Sequence, residues 1–197
     1  MGRSLIHTKE GLVLSTIDVI HEVGISNLSI RKVANEQGIT DAAIFRHYKS
    51  KNELLLAVLD YFSKYDSDVF ATVQLKKLSP TDSIYYSLDT YATYYENYPA
   101  ITALTQIYEV FRNEFELRGK IDSIVGNRLI FMKGLVEEAI LLHEIVPQVN
   151  SEQLALMIWG YFREICMKWR INEYAFSLRE QVQEGVGMIL SAFSRTD

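Results

Sequence analysis

The chain of 197 residues has one cysteine and three prolines. A lone thiol, Cys166, closes no internal disulfide and supplies no CxxC metal knuckle, so nothing calls for an oxidising compartment. Asn-Gly and Asp-Gly turns are absent and period-two runs of β-branched residues are few, so there is no hairpin signal. No run approaches the roughly 18 apolar residues of a membrane span. The most apolar stretch, Leu154 to Trp169, holds Arg163, Glu164 and Lys168. Glu10 follows Arg3 and Lys9, and no small-residue cleavage site closes the apolar stretch, so a signal peptide is not expected. The cytoplasm is the expected location.

Catalytic sets are missing as well. His7, His21, His47 and His143 are spread along the chain, the first two at opposite ends of the first expected helix, with no HExxH and no E-x-x-H pair. No metal site, no cofactor and no enzymatic activity are therefore expected. Gly185-Val186-Gly187 lies inside an expected helix and follows no strand, which excludes a phosphate loop.

What is present is a core-forming composition, 48% apolar and 23% charged, with the charge unevenly spread. The net charge is −5, yet residues 28–54 carry Arg31, Lys32, Arg46, Lys49 and Lys51 against Glu36, Asp41 and Glu53, a balance of +2 that leaves −7 elsewhere. A short positive segment on an acidic body suits a chain of which one part meets phosphate.

Helix signals run throughout, and the expectation is an all-α fold of nine helices. Leu12, Val13, Ile17, Ile20 and Val23 recur at helical spacing from about His7, and Gly24 stands where a left-handed residue ends a helix. Ser29 caps a short helix through Gln37, Gly38 breaks it, and Thr40 caps the next, Asp41 to about His47. Ser50 and Glu53 form a capping box that opens a long helix with Leu54, Val58, Tyr61, Phe62, Tyr65 and Val69 on one face. After a linker at 76–79, Ser79 and Pro80 start a helix striped by Ile84, Leu88, Tyr91 and Tyr95, which Tyr98-Pro99 ends. One helix is expected from there to about Asn113, and another over Arg118 to His143 with Ile121, Val125, Leu129, Met132, Val136 and Ala139 as its stripe. Asn150 with Gln153, and Ser177 with Glu180, cap the last two.

The informative segment is 30–54, IRKVANEQGITDAAIFRHYKSKNEL, two short helices joined by a turn at Gly38 with helix-turn-helix spacing. Ile30, Val33, Ala34, Ile39 and Ile44 can pack inward. Arg31, Lys32, Asp41, Ala42, Ala43 and Arg46 point outward, and small outward residues let a helix backbone approach the floor of the major groove.

Gly24, Leu28-Ser29-Ile30-Arg31-Lys32-Val33-Ala34, then Gly38 to Tyr48, then Ser50-Lys51 with Glu53-Leu54, resemble the N-terminal domain of the TetR family of transcriptional regulators. The resemblance covers about 45 residues without a gap. It implies a TetR-type fold, with a helix-turn-helix head at 1–49 and a helical ligand-binding and dimerisation body at 50–197. It further implies a homodimeric repressor or activator on a palindromic operator, responsive to a small effector, with a repressor the favoured reading. Two heads on adjacent major grooves stand about 34–36 Å apart. By the same resemblance Arg31, Asp41, Ala42, Ala43 and Arg46 face bases, while Thr40, Phe45, His47, Tyr48 and Lys51 hold the phosphate backbone. Asp41 departs from the small polar or basic residue usual there. It either accepts from a cytosine amino group or serves the dipole of its own helix. Phe45 replaces the more usual tyrosine, and His47 has an interhelix hydrogen bond as its alternative.

In the body, Tyr85, Tyr86, Tyr91, Tyr94, Tyr95 and Tyr98 share one helix. Tyr91 and Tyr95 are expected in the core and the other four partly exposed. Candidate pocket residues are Phe62, Tyr65, Tyr91, Tyr95, Tyr108, Phe111, Met132, Leu135, Trp159, Phe162 and Cys166, each open to a plain core role. The aromatic body suggests an apolar or aromatic effector. The last two helices suggest a two-fold four-helix interface built from Met157, Tyr161, Val182, Gly185, Val186, Ile189 and Phe193. The alternative function is a TetR-like architectural or division-control protein on DNA with no small-molecule effector.

Overall fold

The computed structural model describes residues 8–195, and the part of the first expected helix at His7 lies outside them. Among these residues there are nine α-helices. They are α1 Lys9–Val23, α2 Ile30–Gln37, α3 Asp41–Phe45, α4 Lys51–Lys76, α5 Pro80–Asn97, α6 Tyr108–Asn113, α7 Phe115–Leu141, α8 Ser151–Ile171 and α9 Leu178–Ser191. Two 3-10 segments, Ile25–Asn27 and Pro99–Gln106, complete the order. Extended pairing among the described residues is confined to an isolated antiparallel bridge between Ile145 and Ser194.

The capping residues read from the sequence do what capping requires. The Oγ of Ser29, Ser79 and Ser177 accepts from the amides of Lys32, Asp82 and Glu180 at 3.3, 3.2 and 3.2 Å, and Asn150 Oδ1 accepts from Gln153 at 3.0 Å. Ser50 Oγ accepts from the Glu53 amide at 3.0 Å, while the Glu53 carboxylate accepts from the Lys49 amide at 2.5 Å, one residue before the Ser50 amide that a capping box would use. Gly38, at φ 64°, ends α2 in the left-handed region that glycine enters without penalty.

Two helix expectations need correction. The segment after Pro99 is a 3-10 helix through Gln106, and α6 begins only at Tyr108. Residues Ala100 to Thr105 are all buried, so no face is left for solvent. The hydroxyls of Thr102 and Thr105 donate to carbonyls three residues back, at 2.6 and 2.8 Å, which suits the tighter turn. In α7, Val125 is exposed and the buried line passes instead through Ile121, Ile124, Arg128, Met132, Leu135, Val136 and Ala139.

The helices form two compact units. The first comprises residues 1–65 and 99–123, the second 66–98 and 124–197, and α4 and α7 contribute to both. In the first unit α1 packs on α2 and on the Pro99–Gln106 segment, and α2 packs on α3. Leu12, Ile17, Ile20, Val33, Ala34, Ile44 and Leu54 are buried there. In the second unit α9 packs on α5 and α8. Ile84, Leu88, Tyr91, Tyr95, Ile158, Phe162, Val182, Val186 and Leu190 are buried there.

Gly185 allows the α8 to α9 approach. The Tyr161 ring lies on it, so a Cβ at position 185 would stand 2.0 Å from Tyr161 Cζ. The Tyr161 hydroxyl donates to the Gln181 carbonyl at 2.6 Å. Gly185→Ala must expel that ring and break the bond, a cost of about 1–3 kcal/mol. Thermal unfolding by circular dichroism should show a loss of several degrees for Gly185→Ala. The same change in a Tyr161→Ala background should cost almost nothing.

Candidate nucleic-acid interface and effector site

α3 has only five residues, and its neighbours hold it in place. Thr40 Oγ1 accepts from the Ala43 amide at 3.3 Å, and Ile44 is fully buried against the helices behind it. Outward stand Arg31, Lys32, Thr40, Asp41, Ala42, Phe45 and Arg46, all exposed, with Ala43 and His47 half-buried. Phe45 is 49% exposed, an apolar ring left in water among cations. These residues offer short side chains in the first turn of α3 together with the exposed guanidinium groups of Arg31 on α2 and Arg46 just past α3. Such a surface can enter a major groove and bind phosphates around it.

Two residues expected at the phosphate backbone are bonded within the subunit. Tyr48 is buried, and its hydroxyl donates to the Lys9 carbonyl at 3.0 Å. Burial, with the nearby Glu53 carboxylate adding to it, holds that phenol above its ordinary range, so it stays a donor. Through this bond Tyr48 ties the segment after α3 to α1. Lys51 Nζ donates to the Leu28 carbonyl at 3.0 Å and fixes the start of α4 to the turn before α2. Its ammonium retains two further protons for a phosphate. Gln37 performs a similar task, its Nε2 donating to Ser15 Oγ at 2.5 Å.

The expected pocket residues are distributed over both units. Phe62 and Phe111 are buried in the first unit, where Tyr65 and Tyr108 are half-buried. In the second unit Tyr91, Tyr95, Met132, Leu135, Phe162 and Cys166 are buried and Trp159 is half-buried. The structure brings four of these together: Tyr91 meets Trp159 and Phe162 at ring-centre distances of 5.5 and 6.0 Å, and Tyr95 meets Phe162 at 5.7 Å. Tyr85, Tyr86 and Tyr94 of α5 are half-buried as expected, and so is Tyr98, which lies just past the end of that helix rather than in it. A surface cleft of about 730 Å³ in the second unit is lined by Tyr85, Tyr86, Asp89, Glu96, Arg179 and Gln183, outside the expected set.

The sequence reading missed the centre of the aromatic cluster. Arg128, 7% exposed, pairs with Asp66, 4% exposed. Its Nε lies 2.9 Å from Asp66 Oδ2 and its Nη2 lies 2.8 Å from Oδ1. Tyr91 donates to the same carboxylate at 2.7 Å, and Trp159 Nε1 donates to the Arg128 carbonyl at 2.9 Å. The guanidinium carbon lies 5.4 Å from the Tyr91 ring centre and 5.8 Å from that of Trp159. Burial raises the Tyr91 phenol well above its ordinary value, Arg128 opposes the rise and Asp66 adds to it, so Tyr91 donates at any physiological pH. Burial also pushes the Cys166 thiol up to about 12, with Arg128 acting against it, which leaves the thiol protonated and unreactive. A signal was available: Arg128 occupies the helical core position between Ile124 and Met132, and Asp66 the one between Phe62 and Val69.

Of the expected interface residues, Val182, Gly185 and Val186 are buried within the chain's own packing. Met157 is exposed, and Tyr161, Ile189 and Phe193 are half-buried. Leu156 and Met188, 45% and 69% exposed, are further apolar side chains of α8 and α9 left uncovered.

Comparison with known proteins agrees with this arrangement. Residues 9–58 match the model for bacterial regulatory proteins of the tetR family, and residues 62–192 match that for the C-terminal region of YsiA-like proteins. The chain belongs to the TetR family. It is a ligand-responsive, DNA-binding transcriptional regulator, and members of this family are not enzymes. A fatty acid metabolism regulator protein of Bacillus subtilis (strain 168) is 24% identical over 173 residues, 85% of this chain and 86% of that protein. Among solved structures, FadR from Bacillus subtilis in complex with stearoyl-CoA superposes with a TM-score of 0.80 at 20% identity, covering 92% of this chain and 97% of that one. FadR from Bacillus halodurans gives 0.79 at 15% identity, covering 94% and 100%. No helix among the described residues is long and apolar enough to cross a membrane.

The ion pair makes a sharp energetic prediction. Asp66→Leu strands a buried guanidinium and should cost about 3–5 kcal/mol, whereas replacing both partners with apolar residues is often close to neutral. In urea unfolding, Asp66→Leu should therefore lose far more stability than Asp66→Leu/Arg128→Met. Equal losses would show that the pair itself contributes the stability.

Proposed function

We propose that this chain is a cytoplasmic repressor that binds a palindromic operator as a homodimer and is released by a long-chain fatty acyl thioester. The head is 1–49 and the effector and dimer body is 50–197. One observation carries the DNA-reading part: Arg31, Lys32, Ala42, Phe45 and Arg46 stand exposed around a capped, buttressed α3 whose inner face is buried. Arg31, Ala42, Ala43 and Arg46 approach base edges, and Lys32, Thr40, Phe45, His47 and Lys51 contact the backbone around them. The acyl effector is supported by likeness to fatty acid regulators over nearly the whole chain. An apolar tail also suits a body rich in Tyr91, Tyr95, Trp159 and Phe162. Dimerisation through α8 and α9 is supported by Leu156, Met157 and Met188, which leave apolar area in water.

The test is a fluorescence anisotropy titration of a duplex selected by the protein, with stearoyl-CoA, free CoA or stearate present in turn. Stearoyl-CoA should weaken operator binding by about tenfold or more, and free CoA should not. A ligand at about 100 times its Kd also stabilises the free protein by roughly 2.7 kcal/mol, visible as a raised Tm. If no acyl compound shifts either readout, the effector assignment is wrong. Unchanged light scattering mass at the monomer value would reject the dimer.

A further inference from the structure

We propose that Asp41 is a base-reading residue that accepts a hydrogen bond from a cytosine amino group in the major groove, fixing a C·G pair in each operator half-site. The inference rests on the DNA-reading function and adds a chemical rule to it. Asp41 lies at the first position of α3 and is exposed. The capping task open to an acid at a helix start is already done by Thr40, whose Oγ1 takes the Ala43 amide at 3.3 Å. No described residue pairs with the Asp41 carboxylate: Arg46 just past the end of α3, and Arg31 and Lys32 on α2, all leave it unbridged. An unbridged carboxylate therefore stands exposed on the same two helices and turn that expose Arg31, Lys32, Ala42, Phe45 and Arg46.

Against DNA such a group is repelled by phosphate and must shed water, so it weakens binding unless the groove gives it a donor. An ionised carboxylate only accepts. The donors on major-groove edges are the amino groups of cytosine and adenine. Adenine presents its N7 acceptor beside N6, which opposes the second carboxylate oxygen, whereas cytosine presents N4 as a donor alone. The short aspartate side chain reaches a base edge only if the backbone comes close, and Ala42 and Ala43 have nothing beyond Cβ to prevent that. The first turn of a recognition helix is also the part that meets base edges.

The experiment selects sites from a random duplex library with the full-length protein, Asp41→Asn and Asp41→Ala, and then titrates single-base variants of the wild-type site. The wild-type motif should hold a cytosine at a fixed position in each half. Replacing it should cost the wild-type protein about tenfold in affinity and Asp41→Ala almost nothing. Asp41→Asn should move that position toward adenine, since an amide both accepts from N6 and donates to N7. The residue is exposed, and a circular dichroism melt confirms that both variants fold. If both variants select the wild-type motif unchanged, or bind every sequence uniformly tighter, Asp41 reads no base and the proposal fails while the DNA-reading function stands. If the wild-type protein selects no motif, both fail.

Discussion

A helix of five residues does not hold its shape in water, because nucleation is costly and isolated helices shorter than about 12–15 residues are marginal. α3 is such a helix, so the face it offers to DNA depends on what pins its ends and its back. Thr40 caps one end, Gly38 supplies the left-handed turn before it, and Ile44 is buried behind it. The Tyr48 hydroxyl holds the other end to the Lys9 carbonyl, and Lys51 ties the following helix to Leu28. Each support faces inward, which leaves Ala42, Phe45 and Arg46 outward. A surface arranged before contact loses less entropy when it binds.

The second unit shows the opposite use of polarity. It carries a carboxylate and a guanidinium out of water, satisfied by each other, by the Tyr91 hydroxyl and by the nearby rings of Tyr91 and Trp159. Apolar residues could fill that space at similar or better stability. Its directional bonds instead fix which faces of α4, α5 and α7 meet, since Asp66, Tyr91 and Arg128 come from those three helices. Tyr91, Trp159 and Phe162 are held against one another around it, and the thiol of Cys166 is kept protonated nearby by burial.

What the sequence made legible was local. Capping residues, the Gly38 turn and the Pro99 stop act within a few residues, and the helix starts at Ile30, Asp41, Pro80, Ser151 and Leu178 follow from them. Long-range choices were not legible. Val125 and Arg128 are both compatible with helical spacing, and a hydrophobicity rule picks the valine. The structure buries the arginine because Asp66 on another helix neutralises it. Nothing local to Tyr48 reveals the Lys9 carbonyl to which its hydroxyl donates. Nothing local to Gly185 reveals that the Tyr161 ring of the same chain lies on it.

The central claim is that the reading helix is set by its supports before DNA arrives. Amide hydrogen exchange in the full-length protein, with and without a selected duplex, tests it most directly. The amides of His47 and Tyr48 both donate to the Ile44 carbonyl, at 2.8 and 3.0 Å, and report on the far end of α3. They should be protected in the free protein to a degree comparable with the interior of α1, and should change little on DNA. Exchange at the rate of an unfolded chain in the free protein, with protection gained only on the duplex, would contradict the account.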